Sequence, residues 1–312
     1  MESIVAIVGP TATGKTDLAL RLAAGLGVEI VNADALQVYR GFDIGTAKPG
    51  GRARRAIPHH LLDILEADEP YSAGQFAERA RQLLTEIGER GRIPLVVGGS
   101  GLYLRALFEG IGPLPPSQPR VRAALQERLA SEGLEELWRE LSRRDPATAG
   151  RLPPTDRQRI LRALEVIELS GKPLSKWIAE RPFGERPLRA LKVGLTLPRE
   201  VLYDRIASRV ERMIHQGWLD EVSRLLAVWK DPDLPAFQAI GYRQLARHLL
   251  EGWPLEAAVD DIIRATRRYA KRQMTWFKRD AGIVWHRAED LEAVAHSVIS
   301  RTSPAPTPSR GA

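Results

Sequence analysis

The chain holds 312 residues, 44% of them hydrophobic, with 46 Lys and Arg against 39 Asp and Glu, a formal net charge of +7. That length suits one large domain or two modest ones, and the apolar share suffices for a sizeable core. The absence of cysteine excludes a disulfide framework, a thiolate nucleophile and a Cys-ligated zinc site. No apolar run approaches the roughly 18–20 residues of a membrane span, and Met1-Glu2 begins without a basic stretch. Neither a membrane span nor a signal peptide is expected, and the expected setting is cytoplasmic. The modest positive excess fits a polyanionic partner where the charges cluster.

Ile4–Val8 is a short unbroken apolar run, the pattern of a parallel strand buried on both faces. A glycine-rich turn follows, then a helix over Lys15–Gly25. Val28–Val31 reads as a second strand and Leu61–Leu65 as a weaker third. Ser72–Glu89 is helical, with Phe76, Ala80, Leu83, Leu84 and Ile87 at helical spacing and Ser72 as cap. Ile93–Val97 is a further buried strand, ending at Gly98-Gly99. Strands separated by helices imply a parallel α/β sheet with right-handed crossovers.

Gly112–Pro116 reads as a stiff, proline-rich linker. Beyond it the sequence is helical and highly charged to about Arg189, and Leu191–Leu197 then reads as a strand. The rest, from Arg199 to about Ile299, reads as mostly helical. The expected organisation is an α/β core over 1–116 and 190–300, interrupted by a helical insertion over 117–189, with a disordered Pro/Ser/Thr-rich tail over 301–312.

Gly9-Pro10-Thr11-Ala12-Thr13-Gly14-Lys15-Thr16 fits G-x-x-x-x-G-K-[ST] without mismatch, after a strand and opening a helix. Such a loop turns backbone amides inward around a phosphate, helped by the helix N-terminus. Lys15 can reach the terminal phosphate, and the Thr16 hydroxyl is placed to hold Mg²⁺. A di- or triphosphate site is expected here. The Ile93–Val97 strand ends in Gly98-Gly99-Ser100 without a carboxylate, which weakens a hydrolase reading.

Asn32-Ala33-Asp34 lies beyond the carboxyl end of the second strand, the edge where ligands sit in such sheets. Asp34 is a candidate metal ligand or general base, or else a turn-forming cap. Ser100 emerges at the matching end of another strand, to bond a substrate or to cap the helix starting near Gly101. Between Ile262 and Arg279 lie seven Lys/Arg residues and no acid. Arg264, Arg267, Arg268, Lys271 and Arg272 crowd one side of a helix, with Tyr269, Trp276 and Phe277 interleaved. An unrelieved basic ridge of this kind suits phosphate contact and base stacking rather than a mixed solvated face. Arg157, Arg159 and Arg162 form a smaller cluster. Arg205, Arg209 and Arg212 recur at helical spacing, and spacing alone does not say which of them reaches the phosphate site.

Together these segments resemble the bacterial tRNA dimethylallyltransferases, also called tRNA isopentenyltransferases. The resemblance rests on GPTATGKT (Gly9–Thr16), NADALQVYRGFDIGTAKP (Asn32–Pro49), PHHLLDI (Pro58–Ile64), YSAGQF (Tyr71–Phe76) and VGGSGLYLRAL (Val97–Leu107). It continues through DRQRILRALEV (Asp156–Val166), IGYRQL (Ile240–Leu245) and TRRYAKRQMTWFKRD (Thr266–Asp280). The segments keep the family's order and cover nearly the whole chain. The resemblance implies a P-loop NTPase-like α/β core with a parallel sheet, a small all-helical insertion domain and a helical C-terminal region. It implies transfer of the dimethylallyl group of dimethylallyl diphosphate to the exocyclic amine of the adenosine 3′ of the tRNA anticodon. The phosphate loop would then hold the diphosphate rather than ATP, with Mg²⁺ as cofactor, Asp34 as base, Ser100 in support and Arg209 on the diphosphate.

By the same resemblance, tRNA is contacted by Asp34, Ala35, Leu36, Gln37, Ser100 and Arg122, and by Gln158, Arg159, Ile160, Leu161 and Arg162. Gln238, Gly241, Tyr242, Arg243, Lys271, Arg272, Gln273, Trp276 and Lys278 complete that set. The partners implied are a tRNA anticodon stem-loop and dimethylallyl diphosphate, with no membrane and a monomeric protein. Two departures stand out: Ala35 replaces the family's usual Ser, losing that hydroxyl, and Ser100 stands where Thr is common. The competing readings are a prenyltransferase acting on free adenine nucleotides, a P-loop small-molecule kinase, and an RNA-binding module with a merely structural phosphate loop.

Overall fold

The computed structural model describes residues 4–110, 112, 114–180 and 187–302. Six strands form one parallel sheet: β1 (Val5–Val8), β2 (Val28–Asn32), β3 (His59–His60), β4 (Ile93–Gly98), β5 (Leu191–Thr196) and β6 (Ile283–Arg287). Their order across the sheet is β3-β2-β4-β1-β5-β6. The apolar runs become the inner strands because helices cover both faces. β1 is buried throughout, with Val8 in register with Gly98 on one side and Gly194 on the other. That register places the loops after β1, β2 and β4 along one edge.

Two contacts show why glycine is needed there. Gly9 has φ 138°, and a Cβ would sit 2.6 Å from the Leu195 carbonyl oxygen. At Gly98 a Cβ would meet the Ala33 carbonyl oxygen at 2.2 Å. Lys15–Gly25 buries Leu18, Ala19 and Leu22 on the sheet. Ala73–Glu89 starts with a full capping box, in which Ser72 and Gln75 satisfy each other's backbone amides.

The apolar run Leu61–Leu65 does not form the expected third strand. Leu61 and Asp63 have φ 62° and 54°, so the chain bends there, and the strand is the two residues before it. Asp63 is held by Lys48 at 2.6 Å and Arg54 at 2.5 Å, which fixes the bend by charge. β6 lies inside the stretch expected to be helical. Arg301 and Thr302 end the helix Leu291–Thr302 rather than belonging to a tail, and 303–312 lie outside the described residues. Gly112 and residues 114–118 carry no helix or strand, and Ile111 and Pro113 lie outside the described residues.

The chain divides into two compact units, one running to Leu107 and resuming at Arg189, the other spanning Phe108–Leu188. The second unit is helical, around Leu125, Leu137, Leu141, Ile160, Leu161 and Leu164. In the first unit a separate core beside the sheet packs Phe42, Trp218, Phe237 and Tyr242. There Glu221 is buried and accepts the amides of Asp43 and Ile44, at 3.2 and 2.8 Å, and the Tyr242 hydroxyl at 2.7 Å. Among the described residues no helix is long and apolar enough to cross a membrane.

Candidate active site

The loop after β1 wraps the start of the helix Lys15–Gly25. Gly14 adopts φ 87°, and Thr13 is fully buried with its hydroxyl donating to the Pro10 carbonyl at 2.9 Å. Thr11, Ala12, Gly14, Lys15 and Thr16 line a cavity of about 1210 Å³, whereas Gly9, Pro10 and Thr13 shape the loop from behind. Lys15 Nζ donates to the Gly9 and Pro10 carbonyls at 3.0 and 2.7 Å. Burial and the like charge of Arg209 lower its pKa to about 7, against the opposing pull of Asp34.

Asp34, Ala35, Leu36 and Gln37 line the same cavity. Asp34 Oδ1 accepts the Leu36 amide at 2.9 Å, which fixes the carboxylate. The loop is tied to its neighbour strand: Ala33 N donates to the Val97 carbonyl at 2.8 Å and Ser100 N to the Ala33 carbonyl at 3.3 Å. Ser100 lies outside the cavity lining, and its Oγ accepts the Ala35 amide at 3.1 Å. Gln37 reaches across to the Thr46 and Ala47 carbonyls at 3.0 and 3.3 Å.

From the helix Arg199–His215, Arg205, Arg209 and Arg212 all face the cavity. Arg209 is the deeply placed one. Burial is the first cause lowering its pKa, opposed by the charge of Asp34. Lys15, Arg209 and Asp34 therefore sense one another within a single cavity, two cations and one carboxylate.

The helix Leu255–Phe277 closes another side. Gln273 is buried, accepting the Thr11 amide and donating to the Gly99 carbonyl, each at 2.9 Å. Thr11 thus gives its amide to protein rather than to a phosphate. Tyr269 also lines the cavity and is held protonated, first by burial and then by the charge of Asp34. From the sequence, Tyr269 is expected to stack on bases and Gln273 to contact RNA. The signal pointing inward was their i, i+4 spacing, which puts both on the uncharged face of a basic helix.

Several further expectations are corrected by burial. Ile160 and Leu161 are core residues of the second unit, at 0% and 1% exposure, and so have no surface for tRNA. Tyr242 is fully buried on Glu221, and Gly241 lies under Trp218, where a Cβ would meet the ring at 2.0 Å. Gln273 is a brace inside the site and not an exposed contact. Arg162 and Arg122 are not among these, since they stay partly exposed while facing the buried Glu165 at 2.8 and 3.7 Å. Gln158 and Arg159 are exposed, with Arg159 paired to its own helix cap Asp156 at 2.5 Å.

Gln238 and Arg272 line the cavity, while Arg243, Lys271 and Lys278 are exposed. Arg268, Lys271, Arg272, Trp276 and Arg279 border a second groove of about 510 Å³. Trp276 is 38% exposed beside that groove, and its ring face is open to base stacking. Not all of the ridge is free: Arg264 and Arg268 lie 3.7 and 3.8 Å from Asp261, and Arg267 stacks over Tyr203.

A phosphate loop at the carboxyl edge of a parallel sheet, faced across one cavity by a carboxylate and by arginines, defines a P-loop enzyme of the group-transfer class. The chain belongs to the IPP transferase family, whose model matches residues 37–280, and an isopentenyl transferase model matches 2–62. A tRNA dimethylallyltransferase of Syntrophobacter fumaroxidans is 50% identical over 299 residues, 96% of this chain and 87% of the relative. One from Geobacter sulfurreducens is 47% identical over 282 residues, covering 90% of this chain and 91% of the relative. Among solved structures, the tRNA isopentenylpyrophosphate transferase of Bacillus halodurans aligns with a TM-score of 0.70 at 38% identity, over 96% of this chain and 95% of that one. A eukaryotic dimethylallyltransferase, captured acting on tRNA, aligns with a TM-score of 0.79 at 27% identity, over 99% of this chain and 82% of that one.

Proposed function

We propose that this chain transfers the dimethylallyl group of dimethylallyl diphosphate to the exocyclic amine of the adenosine 3′ of the anticodon in tRNA, releasing diphosphate. The observation that carries the proposal is the single cavity shared by Lys15, Arg209 and Asp34. Breaking an allylic carbon–oxygen bond builds negative charge on the leaving diphosphate. Preorganised donors stabilise that charge best, and Lys15, Arg209 and the loop amides supply them. An adenine amine is a weak nucleophile, so the carboxylate of Asp34 accepts its proton as the new bond forms. The base must leave its stack to enter the cavity, and Arg272 and Gln238 on the lining lead towards it from the basic surface.

Thr16 is exposed at the mouth of the loop. Among the described residues no cluster of three or more His, Cys, Asp and Glu could hold a metal on its own. That donor set suits Mg²⁺, which keeps several waters and binds mainly through phosphate oxygens, with Thr16 adding one ligand. When bound it would add positive charge to the leaving group. The tRNA contacts retained in the proposal are Ala35, Leu36, Gln37, Gln238, Arg243, Lys271, Arg272, Trp276 and Lys278. In the helical unit they are Arg122, Gln158, Arg159 and Arg162.

The kinase and free-nucleotide readings are not favoured. β4 ends without a metal-binding carboxylate, and neither reading uses the exposed basic groove beside Trp276. Purified protein incubated with unmodified tRNA, dimethylallyl diphosphate and Mg²⁺ should yield a five-carbon addition on adenosine, read by mass spectrometry of the digested nucleosides. An unaltered digest would remove the proposal.

A further inference from the structure

Tyr269 and Gln273 stand one turn apart on the helix Leu255–Phe277, and both line the cavity. The orientation of the Gln273 amide is fixed by its partners. Its oxygen must face the Thr11 N–H and its nitrogen the Gly99 carbonyl, each at 2.9 Å, because the flipped amide opposes donor to donor and acceptor to acceptor. The bond to Gly99 uses one of the two Nε2 protons. The Tyr269 hydroxyl neighbours the side chains of Gln273 and Ser100, and the Gln273 amide keeps a second Nε2 proton that its oxygen could accept. Ser100 Oγ already accepts the Ala35 amide at 3.1 Å and has its own proton to give to Tyr269. With both donors turned to the phenol oxygen, the hydroxyl proton is left for an acceptor in the cavity that Tyr269 lines.

The surroundings of the hydroxyl point to that acceptor. Gln273 holds the phosphate loop and Ser100 holds the segment after Asp34, so the hydroxyl stands between the diphosphate seat and the base. The group that gains negative charge there is the departing diphosphate.

We propose that Tyr269 is a further catalytic residue, its hydroxyl donating a hydrogen bond to the leaving diphosphate on the side facing Asp34. This rests on the reading of the cavity as a dimethylallyl diphosphate site. Donation requires no proton transfer: the diphosphate leaves as the anion and the adenine proton goes to Asp34. Burial and the nearby carboxylate keep the phenol protonated, which suits a fixed donor.

The test uses the full chain with Tyr269→Phe, which keeps the ring and removes the donor. Three quantities are measured: single-turnover transfer, calorimetric affinity for inorganic diphosphate, and tRNA affinity as a report on the fold. Transfer should slow by about 10²-fold and diphosphate affinity should fall roughly tenfold, with tRNA affinity unchanged. Unchanged transfer and diphosphate affinity would overturn the role. Slower transfer with unchanged diphosphate affinity and a displaced pH profile would also overturn it, assigning the hydroxyl to Asp34 instead. A wild-type chain that transfers a five-carbon unit while the variant equals it sinks this inference alone. A wild-type chain that transfers nothing removes the reading of the site, and this inference with it.

Discussion

Lys15 folds back on its own loop, its Nζ donating to the Pro10 carbonyl at 2.7 Å. In that pose desolvation and the like charge of Arg209 lower its pKa to about 7. A bound diphosphate brings several negative charges against the same nitrogen and favours the ammonium form. Below pH 7 Lys15 is already charged and binding takes up no proton there. Above pH 7 the empty site holds it largely neutral, so binding must take up a proton and affinity declines as pH rises. Calorimetry at pH 8 in two buffers of different ionisation enthalpy should show proton uptake that Lys15→Met lacks. The titration of free diphosphate is common to both proteins, so the difference in uptake between them reports the Lys15 site. Equal uptake by the two would refute the linkage.

Asp34 is fixed by the Leu36 amide at 2.9 Å and shares its cavity with two cations. Asp34→Asn preserves that bond through the amide oxygen but removes the base. Transfer should slow by about 10²–10⁴-fold with tRNA affinity little changed. Rapid-quench single turnovers separate the two effects, and near-normal turnover would take Asp34 out of the role.

Glu221 organises the segment after Asp34 from below, holding the Asp43 and Ile44 amides and the Tyr242 hydroxyl. Glu221→Ala leaves buried donors without partners, each costing about 1–3 kcal/mol. Thermal unfolding should occur several degrees lower, with a loss of about 3 kcal/mol in denaturant titration. Gln at the same position keeps two acceptor lone pairs and should recover part of that loss. A melting temperature unmoved by Ala would mean that the segment carries itself.

Most of this arrangement could be read from residues. The apolar runs of β1 and β4 announced strands buried on both faces, Val28–Val31 and Leu191–Leu197 read as strands despite Glu29 and Lys192, and Ser72 announced a helix start. Two elements could not be read. Leu61–Leu65 has a strand's composition, yet the Lys48–Asp63–Arg54 charges hold it in a bend, a long-range cause that leaves no local pattern. β6 is short, and four of its five residues, Val284, Trp285, His286 and Arg287, are partly buried or exposed, so its apolar signal is weak. At the site, the phosphate loop and Asp34 follow from motif and strand position. The roles of Ser100, Tyr269 and Gln273 do not, because they depend on which proton each partner has left to give.

The basic ridge makes a prediction of a different kind, about ionic strength. Lys271 and Lys278 are exposed, and among the ion pairs found for the described residues neither has a carboxylate partner, whereas Arg264 and Arg268 sit near Asp261. A cation already facing a carboxylate displaces fewer counterions when phosphate arrives. Lys271→Ala and Lys278→Ala should therefore each reduce the slope of log affinity against log salt by about 0.7–0.9, while Arg264→Ala should change it by less. The substitutions should leave diphosphate affinity untouched, since both lysines lie outside the cavity lining. Filter-binding of an anticodon stem-loop across a salt series gives the slopes directly. A double lysine variant with the wild-type slope would move the RNA path off this helix, and an Arg264 variant that lost as much slope as either lysine would show that its contact with Asp261 opens when RNA binds.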